Sequence, residues 1–343
     1  MYKLVPVLLL ALLYSCQSPT FTDEKYSFQV SGGLVTVSND TAEIDLEAFA
    51  DDMMKVSYYP GRDSTPETES FAVILDPDKS TGLKVKEKTD RLLVSTAEIT
   101  AEITKAPFAV SFYDNEGNPL LESAGAYSHK GDSTTAWFKV KDNDHFYGMG
   151  QKSIPVDRKG YAFRSYNQHI GGYTKPYATM QINIPYIYSP DQWGVFFDNT
   201  YPGYYDLAKT DPSKWSYRTD NGTYTYYFVH RKTLQPLLNA YYDLTGYFPM
   251  FPKWTLGLLQ SKCAYEQDTQ VYRIVNEFRK DRLPLDAIIL DANWFGGYKP
   301  DSPHYMGNFT WYQENFPHPQ HYLNTLKSKG IKTILINEPY INL

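Results

Sequence analysis

The chain has 343 residues and a net charge of −6, with 33 Lys and Arg against 39 Asp and Glu. That balance argues against nucleic acid, which needs concentrated Lys and Arg. Its two cysteines, Cys16 and Cys263, build no disulfide framework, so stability must come from a packed core, and the length allows two domains.

One positive charge at Lys3 precedes an apolar run over residues 4–13, too short to span a bilayer as a permanent helix. It reads as the core of a signal peptide covering 1–16. Leu13, Tyr14, Ser15 and Cys16 follow, an apolar residue three before a cysteine with a small one directly before it, which resembles a lipoprotein cleavage box. On this reading Cys16 is the lipidated first residue of the mature protein and 17–24 is a polar tether. The protein is then exported to the bacterial cell envelope and meets the membrane only through its lipid. An ordinary secretory signal with an incidental cysteine is the alternative.

From 25 to 247 the pattern is β. Short runs at 33–37, 92–94, 108–113, 179–188, 193–198 and 223–228 are rich in Val, Ile, Tyr, Phe and Thr. Turn signals separate them, among them Asn39 with Asp40, Pro60 with Gly61, the stretch 115–118, Asp191 with Gln192, and Asn221 with Gly222. Many short strands with no convincing helix between them predict an antiparallel β-sandwich. The 31 tyrosines admit two explanations: rings with a polar tip suit a sugar surface, and tyrosine is common in β-rich proteins.

The character changes near 249–253, and 248–343 is predicted as a second domain. Residues 254–260 read as a strand. Residues 268–279 read as an amphipathic helix through Val271, Ile274, Val275 and Phe278, with Asp268 or Thr269 as its cap. A nearly unbroken apolar strand follows at 285–290, then a helix over 319–329 carrying Tyr322, Leu323 and Leu326, ended by Gly330. Residues 331–336 form a third apolar strand. Alternating strand and helix, with strands apolar on both faces, predict a parallel sheet covered by helices, as in a (β/α)8 TIM barrel. Only three of eight strands are present, so the chain is expected to be a fragment truncated after the third strand.

In such barrels the working groups sit at the C-terminal ends of the strands. Asp291 ends the second strand, with Trp294 beside it, and Glu338 ends the third. Adjacent strand tops let both carboxylates face one small ligand bearing several hydroxyls. The competing explanation is that Asp291 caps a loop and Glu338 pairs with a nearby Lys or Arg. His304, His318 and His321 do not read as a metal site, because Pro317 and Pro319 flank His318 and prevent a helix from placing Glu314 and His318 on one face. No nucleophile elbow, phosphate-binding loop or dinucleotide fingerprint occurs, so no cofactor and no metal are expected.

The residues resemble glycoside hydrolase family 31, whose members are mostly retaining α-glucosidases and α-xylosidases. The likeness runs in order through Phe146, Tyr147, Gly148, Met149, Gly150 and Gln151; residues 161–167; Ile184, Pro185 and Tyr186; and residues 194–199. It continues through residues 252–257, then Pro284, Leu285 and Asp286, then Asp291, then Asn308, Phe309, Thr310 and Trp311. The resemblance implies a galactose-mutarotase-like sandwich followed by the start of a catalytic TIM barrel, and an oligosaccharide or glycoside as partner. It implies that Asp291 holds a sugar hydroxyl in the −1 subsite, with Glu338 near the same pocket. It also implies a sandwich loop around 167–169 over the barrel mouth. There Gln168 and His169 stand where relatives often have an aspartate, and Cys263 stands where they often have an aromatic residue. The family's nucleophile and acid/base follow the fourth and sixth strands, so no catalytic residue is assigned and the chain by itself is expected to show no turnover. A non-catalytic surface glycan-binding lipoprotein is the rival reading; it leaves the strand–helix–strand pattern after Pro252 unexplained.

Overall fold

The computed structural model describes residues 26–61, 70–78, 81–296 and 309–337. They fall into two compact units, Met1–Tyr247 and Phe248–Leu343.

The first unit is an antiparallel sandwich. One layer is an eight-stranded sheet in the spatial order Ser27–Ser31, Leu34–Ser38, Ala42–Ala50, Met53–Pro60, Tyr224–His230, Trp193–Phe197, Tyr186–Ser189 and Tyr147–Gly148. Its centre is therefore a pairing of distant segments, Met53–Pro60 with Tyr224–His230, fixed in register by Tyr224 opposite Tyr58 and Phe228 opposite Met54. The other layer is two five-stranded sheets. One runs Lys84–Glu87, Arg91–Ser95, Ile99–Thr104, Ala109–Asp114, Pro119–Leu121; the other Ser128–Lys130, Ser133–Lys139, Lys214–Thr219, Gly203–Leu207, Ala162–Ser165. A bridge between Ser123 and Phe138, with Ala124 N–H donating to the Trp137 carbonyl at 2.8 Å, links these two.

Alternation explains the layers: Ile99–Thr104 and Ser133–Lys139 bury every second residue. The core they enclose is aromatic. Phe112 stacks on Phe228 and Phe197 on Tyr217, each pair at 3.9 Å, while Trp193 lies parallel to Trp215 at 5.9 Å. Tyr205, Tyr217, Tyr224, Tyr226 and Tyr227 are all buried, so much of the tyrosine content is core rather than sugar platform.

Two expectations for this unit are corrected. A helix, Leu234–Thr245, does form, and its Leu237, Ala240 and Leu244 cover the outer face of the large sheet against Phe49, Met53, Phe196 and Val229. Its aromatic stretch at Tyr241 and Tyr242 reads as β in sequence, and no side chain caps its N-terminus. The run 179–188 is a strand only at Tyr186–Ser189, because Pro185 lacks an N–H and the Asn183 side chain takes over local backbone groups.

The second unit is a three-stranded parallel sheet, Leu259–Lys262, Ala287–Leu290 and Lys332–Leu335, in register through Lys262, Leu290 and Leu335. Helices Asp268–Lys280 and Pro319–Ser328 make the connections and bury Val271, Val275, Tyr322 and Leu326. The fold class expected from sequence, a sandwich followed by the opening of a TIM barrel, is the one observed. Its first strand begins later than expected: Lys253–Leu256 is a 3-10 turn. The cap of the first helix is Gln267, with Asp268 already in the first turn.

One buried acid gives the sandwich a pH signature. Asp144 is 4% exposed and accepts the Lys141 N–H at 2.7 Å. Burial and the neighbouring Asp191 push its carboxyl from the ordinary 3.8 up to about 6. The folded state thus holds this proton more tightly than the unfolded chain, and the contribution to stability is full below 3.8 and lost as pH rises through about 6. Urea denaturation midpoints between those values should fall with rising pH in the parent relative to Asp144→Asn; parallel curves would refute the assignment.

Candidate functional site

In barrels of this kind the working groups sit at the C-terminal ends of the parallel strands. The residues that directly follow the three strands are Cys263, Asp291 and Ile336. Asp291 is half-buried and is the N-cap of a 3-10 turn, Ala292–Phe295, accepting the Ala292 N–H at 2.7 Å through Oδ1. It therefore caps, as the competing sequence reading had it, and the bond uses one of its two oxygens and fixes its rotamer.

Trp294 is packed rather than presented. Its indole is 3% exposed, touches Phe295 and Trp311 edge-on at 5.4 Å, and donates Nε1–H to the Ile336 carbonyl at 2.7 Å. Within this unit its ring has no open face for a sugar, and its role is to tie the second strand's turn to the end of the third. The Ile336 N–H completes the tie by donating to the Leu290 carbonyl at 2.9 Å. Around the turn, the Tyr312 N–H bonds the Trp294 carbonyl at 2.8 Å and Asn315 Nδ2 bonds the Asn293 carbonyl at 3.0 Å. Next in the chain, Asn337 holds a buried Oδ1 without a hydrogen-bond partner among the described residues. Glu338 lies outside the described residues.

Sequence reasoning missed the brace at the opposite end of the sheet. The Asp286 carboxylate accepts the Leu258 N–H at 3.1 Å, and it sits where a side chain on Gly257 would be. A Cβ at Gly257 would displace this carboxylate from its bond to the Leu258 N–H. The signal was present as Gly257 and Asp286 flanking the first connection, yet neither periodicity nor turn chemistry links them.

Gln168 and His169 belong to the sandwich unit, where both side chains are exposed. Their segment is held from behind by Asn183. Its N–H donates to Asn167 Oδ1 at 2.8 Å, its Nδ2 donates to the carbonyls of Tyr166 and Met180, and the Gln168 N–H joins the same Met180 carbonyl at 2.9 Å. Lys152 anchors Asn183 by donating to its Oδ1 at 2.8 Å, with the ammonium 4.3 Å from the Phe163 ring. Burial, reinforced by Arg158, lowers the Lys152 ammonium to about 7. Among the described residues, no group of three or more His, Cys, Asp or Glu stands close enough to hold a metal.

Comparison with known proteins decides the family. Residues 43–206 match the glycosyl hydrolase 31 N-terminal galactose mutarotase-like domain, and residues 248–343 match the glycosyl hydrolases family 31 TIM-barrel domain. The chain belongs to glycoside hydrolase family 31. Alpha-glucosidase 2 of Bacillus thermoamyloliquefaciens is 30% identical over 308 residues, 88% of this chain and 38% of the relative. An alpha-xylosidase of Saccharolobus solfataricus is 25% identical over 305 residues, 84% and 39% respectively. Among solved structures, a GH31 dextranase of Flavobacterium johnsoniae, determined with isomaltotriose, superposes with a TM-score of 0.83 at 26% identity, covering 92% of this chain and 38% of that one. The family 31 chain thus spans about two fifths of the length of these relatives.

The clasp at the strand tops is testable in this family 31 chain. Trp294→Phe keeps the ring and deletes the bond to the Ile336 carbonyl, which leaves a part-buried acceptor unpaired at a cost of about 1–3 kcal/mol. Amide exchange at Ile336 should accelerate by about tenfold or more. Unchanged exchange would show that the indole N–H holds nothing in place.

Proposed function

We propose that this chain is the substrate-gripping part of an α-glycosidase that acts on α-linked glucosides or xylosides by a retaining mechanism. The observation that carries the reading is Asp291, fixed at the top of the middle parallel strand with one oxygen bonded to its own turn and, among the described residues, the other left to meet a ligand. A sugar hydroxyl donating to it makes a charge-assisted hydrogen bond. By family resemblance Glu338 joins the same grip and Trp294 supports it from within. By the same resemblance Gln168 and His169 are proposed to contact sugar, offering an amide and an imidazole where relatives offer a carboxylate.

Retention needs a carboxylate nucleophile and a second carboxylic acid roughly 5–5.5 Å away. By family resemblance these follow the fourth and sixth barrel strands, and three strands are described, so the proposal is that the chain holds substrate without cleaving it. The 343-residue chain should therefore bind isomaltotriose or glucose, lose about ten- to hundredfold in affinity on Asp291→Ala, and give no turnover of an aryl α-glucoside. Steady hydrolysis that follows the purified chain through successive columns would overturn this division of labour.

The leader is part of the same proposal. Residues 1–24 lie outside the described residues, and among those that are described no helix is long and apolar enough to cross a membrane. Lipidation at Cys16 would place the enzyme at the cell envelope, where oligosaccharides arrive. Metabolic labelling with a fatty acid should mark the expressed protein and fail on Cys16→Ala, which should also leave the membrane fraction. Equal partitioning of both forms would argue for an ordinary secretory signal.

A further inference from the structure

The sandwich carries a second concave surface that the barrel reading does not use. On the outer face of the eight-stranded sheet, register aligns Glu47, Lys55, Tyr227 and Phe196 in one row across four strands. The next row runs Asp45, Ser57 and Thr225, with the Asp198 N–H bonded to the Thr225 carbonyl at 3.0 Å. Segment 70–78 passes over this face. The Ile74 and Leu75 N–H groups bond the Leu244 carbonyl of the covering helix at 2.9 and 3.3 Å. Nearer its start, Ser70 Oγ accepts the Ala72 and Val73 N–H groups at 3.1 and 3.0 Å and itself bonds the Asp198 carboxylate. Segment and sheet enclose a cavity of about 620 Å³, within the roughly 300–1,000 Å³ of small-molecule sites.

The lining narrows what the cavity accepts. Glu47, Asp76 and Asp198 supply carboxylates, Lys55 an ammonium, Thr225 a hydroxyl, and Phe49, Phe71 and Tyr227 supply rings. Phe49 stands edge-on to Tyr227 at 5.0 Å. A bound cation would face Lys55, and an anion would face three carboxylates. An apolar ligand would strip water from both signs of charge without replacing it. A neutral polyhydroxylated ligand satisfies all of them: its hydroxyls donate to carboxylates and accept from the ammonium, while a C–H face lies on the exposed ring of Phe71.

We propose that this cavity is a carbohydrate-binding site, separate in all its residues from the strand-end site at Asp291, and that it takes a neutral oligosaccharide. Phe71 is 97% exposed at its rim, so Phe71→Ala removes a ring without touching the core. Lys55→Met removes the one cation among the described lining residues while keeping the length of the stem.

Isomaltotriose binding to the 343-residue chain, followed by saturation-transfer NMR, tests this. Two binding events are expected. Lys55→Met should weaken one by about tenfold, the loss of a charge-assisted hydrogen bond. Phe71→Ala should weaken the same event, and Asp291→Ala should leave it unchanged. Circular dichroism confirms that each variant is folded. Binding that responds to Asp291→Ala but not to Lys55→Met or Phe71→Ala would overturn the second site and leave the barrel reading standing. Loss of the Asp291-dependent event alone from the parent would sink the barrel reading and leave the second site standing. Absence of any binding would overturn the second site.

Discussion

Where the chain leaves the buried strand Ala287–Leu290, its backbone polar groups must find partners out of reach of water, and the form of the candidate site follows from how they do so. The Ala292 N–H takes the Asp291 carboxylate, the Trp294 carbonyl takes the Tyr312 N–H, and the Asn293 carbonyl takes Asn315. The indole of Trp294 closes the set on Ile336, at the end of the adjoining strand. Asp291 is therefore oriented by main-chain bookkeeping before any ligand arrives. A carboxylate held this way loses little rotamer freedom on binding, which is what preorganisation requires.

The sandwich solves a related problem with its tyrosines. A buried phenol needs a partner for its hydroxyl. Tyr127 and Tyr226 bond each other at 3.0 Å, Tyr224 donates to the Tyr217 carbonyl, and Tyr186 donates to the Leu237 carbonyl at 2.6 Å, tying the covering helix to the sheet. Rings fill the space between layers, while the hydroxyls of Tyr127 and Tyr226 and of Tyr186 bridge segments 99 and 51 positions apart. Tyr227, itself buried, also lines the outer cavity.

Much of this was legible in the order of residues. The alternation of the sandwich strands and the change to strand–helix–strand after Pro252 are periodicities, and periodicity is what sequence reports most directly. The motifs from Phe146 to Trp311 carried the family through their order. What stayed hidden was tertiary. Leu234–Thr245 is a helix because the sheet offers an apolar face for Leu237, Ala240 and Leu244, and that face is assembled from four separate strands. Trp294 looks like a sugar platform until Trp311 and Ile336 are seen to surround it. The outer cavity is invisible in sequence, since Glu47, Lys55, Asp198 and Thr225 come together only through strand register.

That register has a consequence for how the molecule comes to exist. Met53–Pro60 stands beside Ala42–Ala50 from the outset, but its other edge stays bare until Tyr224–His230 has been made, and Ser57 meets Thr225 across 168 positions. Loop closure over such a span is slow compared with hairpin formation. The first four strands must therefore wait, with an apolar face and an unpaired edge exposed, while most of the unit emerges from the ribosome. In a chain with this topology the central seam cannot close until nearly the whole sandwich is present.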